Sequence, residues 1–493
     1  MSLLRQFASQ TIIYGVGHIL SRILYFLVLN AYLTRKLTDT YEYGLYSDMY
    51  AYATLLIVIL SYRIDTAFFR FGSKEGMLNK AFSSAFIPLL VTTSFAVLLI
   101  TLFKDSISEA LQLGSYPHYF QWFAIIIALD VLALIPFAKL RLEGKPAKFM
   151  LYRVFNILFT IGIIFYFFEI YDIEDGWLNS IFPSIQLKVD LVFIANLIAS
   201  SLLLLFLLVE LKGIRLKVDW KLWKKMVAYS SPLIIVGVAN SINQFFAAPL
   251  QHAFLPYTPD ENLAQAGIYS AAMRIAALLV MFNTAFNYAA EPFFFNNAAK
   301  TKDTKIYGKV ILLYALISSV VVLGIVYFLD ILQFIVGKNY REAMFIVPIL
   351  LLAYLMLGFY YNISIWYKLA DKTYFGSIIS IVGSIITLMA SSLLLPVLGY
   401  VASAWAALAC YTVMVMMAFV TGQKHYKIEY PVNQILAILI SVIILILVCL
   451  WINTFDLTIA TSIIIKGFIF SVAVLFLLYY FRSIIKELFY NHK

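Results

Sequence analysis

The chain has 493 residues, 63% of them hydrophobic and 13% charged, with a net charge of +10 and a mean hydropathy of +0.90. A soluble globular domain has about a quarter of its residues charged, so half that supply excludes a water-soluble fold. The two cysteines, Cys410 and Cys449, both lie in apolar runs, which argues against a disulfide framework or a thiolate metal site.

Apolar runs near the ~20 residues needed to cross ~30 Å of hydrocarbon predict about fourteen membrane spans: 9–32, 44–62, 81–103, 118–138, 149–170, 190–209, 226–250, 264–290, 307–329, 343–366, 374–395, 399–421, 433–453 and 459–481. The fold class is therefore all-α and polytopic. The first run lacks a small-residue cleavage site and is long enough to span, so it reads as a helix and not as a signal peptide. An even number of spans puts both termini on one side. Of the 36 Lys and Arg, 27 lie in, or within about a turn of, the two tails and every second loop, and six lie in the remaining loops. The positive-inside rule makes that side, and both termini, cytoplasmic. The basic stretch Lys212 to Lys225 then reads as a topology signal and a contact for anionic lipid headgroups, not for nucleic acid.

Charges inside apolar spans cost several kcal/mol unless they meet a partner or a wet cavity. In span 1, Tyr14, His18 and Arg22 share one helical face, with Arg22 roughly 20 Å from the cytoplasmic end at 1.5 Å per residue. Span 2 opens with Gly44-Leu45-Tyr46-Ser47, and Asp48 follows near its outer end. Span 4 holds Asp130, which reads either as a structural partner for Arg22 or as a site for a coupling cation or proton. Span 7 carries Gly237, Asn240, Gln244 and Gln251 along one face, where amides must find protein or water. Their partners are sugar hydroxyls or neighbouring helices. Span 8 opens with Gly267-Ile268-Tyr269-Ser270, and Arg274 sits roughly 15 Å from its outer end. A pair of buried arginines suits an anionic, multi-oxygen ligand such as phosphate, and the alternative is structural pairing or snorkelling. The hydroxyl stripe Ser377, Ser380, Ser384, Thr387 and Ser391 in span 11 reads as close helix packing. Lys466 in span 14 lies near enough to the outer face to snorkel.

The tetrad at Gly44 recurs at Gly267, and Ala53, Leu55 and Leu56 recur as Ala276, Leu278 and Leu279, all at an offset of 223. Lys139-Leu140 and Lys368-Leu369 repeat at an offset of 229. This order predicts two six-helix copies in the same orientation, 1–211 and 212–424, with 425–493 supplying two further helices and a tail. Transporters built from such halves bind substrate between them. No Gly-rich phosphate loop, HExxH motif, Cys–His cluster or nucleophile elbow occurs. The longest outer loop, about 171–189, is too short to fold alone. The reading is of a protein that is not an enzyme and needs no cofactor or metal.

Several stretches together carry a family resemblance: Tyr41-Glu42-Tyr43-Gly44-Leu45-Tyr46, Ala266-Gly267-Ile268-Tyr269-Ser270, Ala290-Glu291-Pro292-Phe293-Phe294-Phe295, Tyr340 to Pro348, Trp366-Tyr367-Lys368-Leu369 with Asp371-Lys372-Thr373, and Pro396-Val397-Leu398-Gly399-Tyr400. In order and spacing, over essentially the whole chain, it resembles the polysaccharide transporter family, the O-antigen-type flippases of the multidrug and oligosaccharidyl-lipid exporter superfamily. The resemblance implies two six-helix lobes around a cavity and alternating access. It also implies an undecaprenyl-diphosphate-linked oligosaccharide as cargo in a bacterial cytoplasmic membrane, with glycan assembly proteins as possible partners. Cavity arginines in the first and eighth helices of related lipid II flippases match Arg22 and Arg274. Many relatives carry an Asp-Arg pair late in the seventh helix, where this chain has Ala247-Ala248. The expected substrate-binding set is Arg22, Arg274, His18, Asn240 and Gln244, with Asp130 for pairing or coupling. Two rivals stand beside it: a cation-coupled multidrug exporter of the same superfamily, and a membrane-embedded polysaccharide polymerase or ligase.

Overall fold

The computed structural model describes residues 29–172, 176–213, 217–300, 304–455 and 458–480. Among them the regular structure is helical, and thirteen helices are long and apolar enough to cross a membrane. These correspond in order to the second through fourteenth predicted spans; the first, 9–32, lies almost wholly outside the described residues. The chain is a multi-pass membrane protein. It sorts into two compact units, 1–267 and 268–493.

In the first unit the helices are α1 (Asn30–Lys36), α2 (Thr40–Ser61), α3 (Ile64–Gly72), α4 (Leu78–Leu102), α5 (Lys104–Ala110), α6 (Pro117–Leu142), α7 (Pro146–Glu169), α8 (Lys188–Leu207), α9 (Trp220–Phe245) and α10 (Ala247–Phe254). Their starts follow capping chemistry. Asp39 accepts from the Tyr41 N–H ahead of α2, and Asp219 accepts from the Leu222 N–H ahead of α9. Prolines 117 and 146 occupy first-turn positions of α6 and α7, where a missing N–H costs nothing. The α6–α7 turn runs through Gly144 at φ +65°, a left-handed conformation that glycine adopts without strain.

Helix α6 is the hub of this unit, packing on α2, α3, α4 and α8. Ala133, Phe137 and Leu140 meet Leu203 and Leu207 across the α6–α8 contact. At the other end of α8, Asp190 accepts from the N–H groups of Gln186 and Leu187 and from the Tyr119 hydroxyl, while Glu42 on α2 accepts from the Val189 N–H at 2.8 Å. Donors left open at the helix start are thus closed by carboxylates.

Helix α11 (Pro259–Lys300) begins in the first unit and runs into the second. At 42 residues it is about 63 Å long, so it continues well past the apolar run that ended at 290. The second unit adds α12 (Lys305–Tyr327), α13 (Val347–Ile363), α14 (Ile365–Leu369), α15 (Tyr374–Leu398), α16 (Val401–His425), α17 (Val432–Ile452) and α18 (Ile459–Tyr480). Helix α16 packs on α13 and α15, while α12 packs on α13, α17 and α18. Trp366, fully buried, donates its indole N–H to the Ala418 carbonyl and fixes α14 against α16.

Large apolar side chains point outward along the spans, among them Val91, Leu102, Leu447, Phe468 and Leu475, while Asn283, Ser318, Ser319, Asn362 and Ser380 are buried. That inversion of the soluble pattern fits lipid as the solvent.

One expectation is corrected here. Lys466 does not snorkel: it is 1% exposed and pairs with Asp330, whose carboxylate also accepts from the Ser462 hydroxyl at 3.1 Å. A carboxylate within reach removes the need to extend to the interface.

Candidate functional site

The described polar groups inside the spans form separate constellations in the two units. In the first unit, Asp130 on α6 is half-buried and accepts from the Ser200 hydroxyl at 3.0 Å. Ser200 also lies 3.4 Å from Asn196 Oδ1, and the Asn196 amide donates to the Tyr50 hydroxyl at 2.6 Å. Three helices, α6, α8 and α2, thus share one polar chain. Arg153 on α7 acts electrostatically on Asp130, and its guanidinium stacks on the Phe137 ring at 4.4 Å. A carboxylate, a hydroxyl, an amide and a phenol offer the oxygen donors a small cation or a proton needs. Arg22, the partner expected from the sequence, lies outside the described residues, as does His18.

Asn240 and Gln244 lie half-buried on α9, and among the described residues neither makes a hydrogen bond. Their face is turned toward α2: a Cβ on Gly237 would meet a Val58 methyl at 2.6 Å. Gln251, fully buried, falls on α10 beyond a break at Phe246, where α9 ends.

In the second unit Arg274 lies half-buried on α11, within electrostatic reach of the buried Tyr354 on α13. One turn before it, Ser270 is buried. Deeper along α11, Asn283 donates to the Tyr354 carbonyl at 2.8 Å and accepts from the Tyr314 hydroxyl at 2.9 Å. The stripe on α15 behaves as packing: Ser380, Ser384, Thr387 and Ser391 are buried, and Ser384 and Thr387 bond back to their own helix. The structure therefore brings Asp130 together with Ser200, Asn196 and Tyr50, and Arg274 together with Tyr354.

Sequence reasoning missed one buried pair. Asp48 on α2 is wholly buried, with Oδ2 3.0 Å from Nδ1 of His252 on α10. An acid within a predicted span was the available signal; its closeness to the outer end of the run hid it.

The architecture is a polytopic, all-helical membrane fold that solved structures share. Solved structures similar to the chain include the lipid II flippase MurJ in an inward closed conformation, 15% identical, with a TM-score of 0.72 over 96% of this chain and 100% of that one. An outward-facing multidrug resistance MATE family transporter of the MOP superfamily is also similar, 15% identical, with a TM-score of 0.56 over 88% and 96%. A third is a MOP superfamily transporter from Pyrococcus furiosus with a binding pocket of reversed polarity, 13% identical, with a TM-score of 0.58 over 84% and 95%. These neighbours are a flippase and two transporters. No family model matches the chain, and no curated protein matches it in sequence.

Proposed function

We propose that the protein flips an undecaprenyl-diphosphate-linked oligosaccharide from the cytoplasmic to the outer leaflet of a bacterial cytoplasmic membrane, for surface polysaccharide synthesis such as O-antigen. The observation that carries this reading is a guanidinium, Arg274, half-buried within an apolar helix beside Tyr354. Such a group is costly in hydrocarbon and suits a diphosphate passing through it. The whole-length likeness to a lipid II flippase supports the reading, with a TM-score of 0.72 against 0.56 for the outward-facing multidrug transporter.

In this mechanism the diphosphate head rests on Arg274 while the polyprenyl tail stays in lipid, and access alternates between the two faces. Arg22 and His18, and the half-buried amides of Asn240 and Gln244, take part in holding the head by the sequence argument. No bond is made or broken; the protein lowers the cost of carrying a charged, hydroxyl-rich group through hydrocarbon. The copies 1–211 and 212–424 serve as lobes, with 425–493 appended and both termini cytoplasmic.

The test is flipping of a fluorescent polyprenyl-diphosphate sugar in proteoliposomes. Loss of one charged hydrogen-bonding group is worth about 1.5–3 kcal/mol, so Arg274→Ala slows flipping roughly ten- to hundredfold. Arg274→Ala running at the wild-type rate would remove the assigned role.

The Asp130–Ser200–Asn196–Tyr50 chain favours a second element, a coupling site for a proton or small cation, and it is the feature a cation-coupled drug exporter would share. Transport of a cationic dye that depends on Asp130, with no flipping of the lipid-linked sugar, would turn the reading toward the exporter.

A further inference from the structure

Asp48 lies on α2 four residues beyond Gly44, and its carboxylate is 0% exposed. One carboxylate oxygen faces His252 Nδ1 at 3.0 Å; the other oxygen and His252 Nε2 have no hydrogen-bond partner among the described residues. The arrangement counts protons. With none on the pair, a bare carboxylate is buried beside a neutral ring, which is strongly unfavourable. With one, the pair is neutral overall, whether written as carboxyl and imidazole or as carboxylate and imidazolium. With two, a net positive charge is buried. Burial thus favours one proton on the pair over none or two.

What covers it is the meeting of α2, α10 and α11. A Cβ on Gly44 would sit 1.8 Å from the Leu263 carbonyl oxygen, and one on Gly267 would sit 2.1 Å from that of Thr40, so the two backbones touch. The Asn262 amide donates to the carbonyls of His252 at 3.0 Å and Leu255 at 2.9 Å, tying the end of α10 to the start of α11. Parting α2 from α10 and α11 would put both groups in water. There a free carboxylate loses its proton above about pH 4 and an imidazole above about pH 6.5.

The other titratable groups at this end are arranged differently. Tyr52 on α2 is in electrostatic contact with Asp48. Glu42 is bonded to the Val189 N–H near Lys188 and Asp190 on α8, Asp190 is bonded to Tyr119 on α6, and Tyr41 faces Tyr116 and Asp260. Among the described residues, His252 is the group that opposes the Asp48 charge.

We propose that Asp48 and His252 form a proton-binding site linked to closure of α2 against α10 and α11, the closed form holding one proton more than the open form above about pH 6.5. The linkage is independent of what is transported and is read without substrate.

The experiment places spin labels at Thr38→Cys and Tyr257→Cys, with Cys410 and Cys449 replaced by Ala, in nanodiscs of fixed lipid composition. Distances are recorded by double electron–electron resonance from pH 5 to pH 9. The expected result is a short distance at low pH, giving way above about pH 6.5 to a longer one, with the ratio changing up to about tenfold per pH unit for one proton. Asp48→Asn should abolish the opening above about pH 6.5 and reverse the trend, the longer distance growing toward pH 5 as an exposed imidazole takes a proton that the closed form cannot bury. His252→Gln should shift the transition to lower pH, because an exposed aspartate alone keeps its proton only below about pH 4. A distribution in the wild-type protein that does not change with pH, or an unaltered transition in either variant, would overturn the proposal. A flat profile here beside intact flipping would leave the transport reading standing. A clear transition in a protein that flips no lipid would do the reverse.

Discussion

Lys139 Nζ donates to the backbone carbonyls of Glu210 and Lys212, both at 2.7 Å, from a side chain that is almost wholly buried. One cation on α6 therefore closes the short helical turn that follows α8, where carbonyls have no helical partner. Around it, Lys148 on α7 pairs with the Glu210 carboxylate at 2.7 Å, and the Tyr152 hydroxyl reaches the same oxygen at 3.3 Å. Three spans meet in this one ionic knot.

Lys139→Met keeps the length of the side chain and leaves the buried Glu210 carbonyl and the part-buried Lys212 carbonyl without that donor. The expected cost is about 3 kcal/mol, most of it the penalty of unpaired acceptors. Reversible unfolding in mixed micelles measures it. A loss below about 1 kcal/mol would mean that water replaces the ammonium group at this end of α8.

Lys466 and Asp330 join the last helix to the rest of the second unit. Lys466→Met leaves Asp330 with the Ser462 hydroxyl but no cation, and that side chain keeps 27% exposure, so the expected loss is about 2 kcal/mol, below the ~3–5 of a fully buried pair. Adding Asp330→Asn should recover most of it. A double variant no better than Lys466→Met would show that the pair's charge is not what stabilises the contact.

The contrast between these residues shows what the sequence could convey. Hydropathy runs located the spans because lipid demands them: the run 118–138 became Pro117–Leu142 and 374–395 became Tyr374–Leu398. The run ending at 290 undershot α11 because Glu291 and Pro292 interrupt it before Phe293–Phe295, and the Asn296, Asn297 and Lys300 that follow leave no hydropathy signal. Asp130 was legible as a charge within a span. Its partners on α8, Asn196 and Ser200, are spaced i, i+4 and could have been read as one face. Asp48 and His252 lie 204 positions apart, and no periodicity reports a contact of that kind. Lys466 was visible as a charge, but Asp330 became its partner only through the packing of α12 and α18.

The touching backbones at Gly44 and Gly267 were visible in the sequence as a repeat, though not as a contact. Gly44→Ala would place a methyl inside the distance of a carbonyl oxygen that cannot rotate away. Overpacking of this kind costs about 1–3 kcal/mol, and the upper end is expected here. Gly162→Ala, where a Cβ meets nothing within 4 Å, is the control and should not lower the melting temperature. Equal melting of Gly44→Ala and the control would mean that α2 and α11 do not meet as closely as described.

Asp219 offers a pH test outside the membrane. It caps α9 through the Leu222 N–H at 2.9 Å and pairs with Lys80 at 2.7 Å. The Lys80 hydrogen bond first, and the Leu222 N–H second, hold its carboxyl below the usual carboxylate range. A group with a depressed folded pKa contributes its stabilisation above its unfolded value, about 3.9, and loses it as pH falls through the lower folded value. The melting temperature of Asp219→Ala should therefore lie below wild type at pH 7, with the gap narrowing under pH 4. Asp219→Asn, which retains a cap acceptor but not the charge, should fall between them. A gap that stays constant across this range would assign the effect to shape and not to charge.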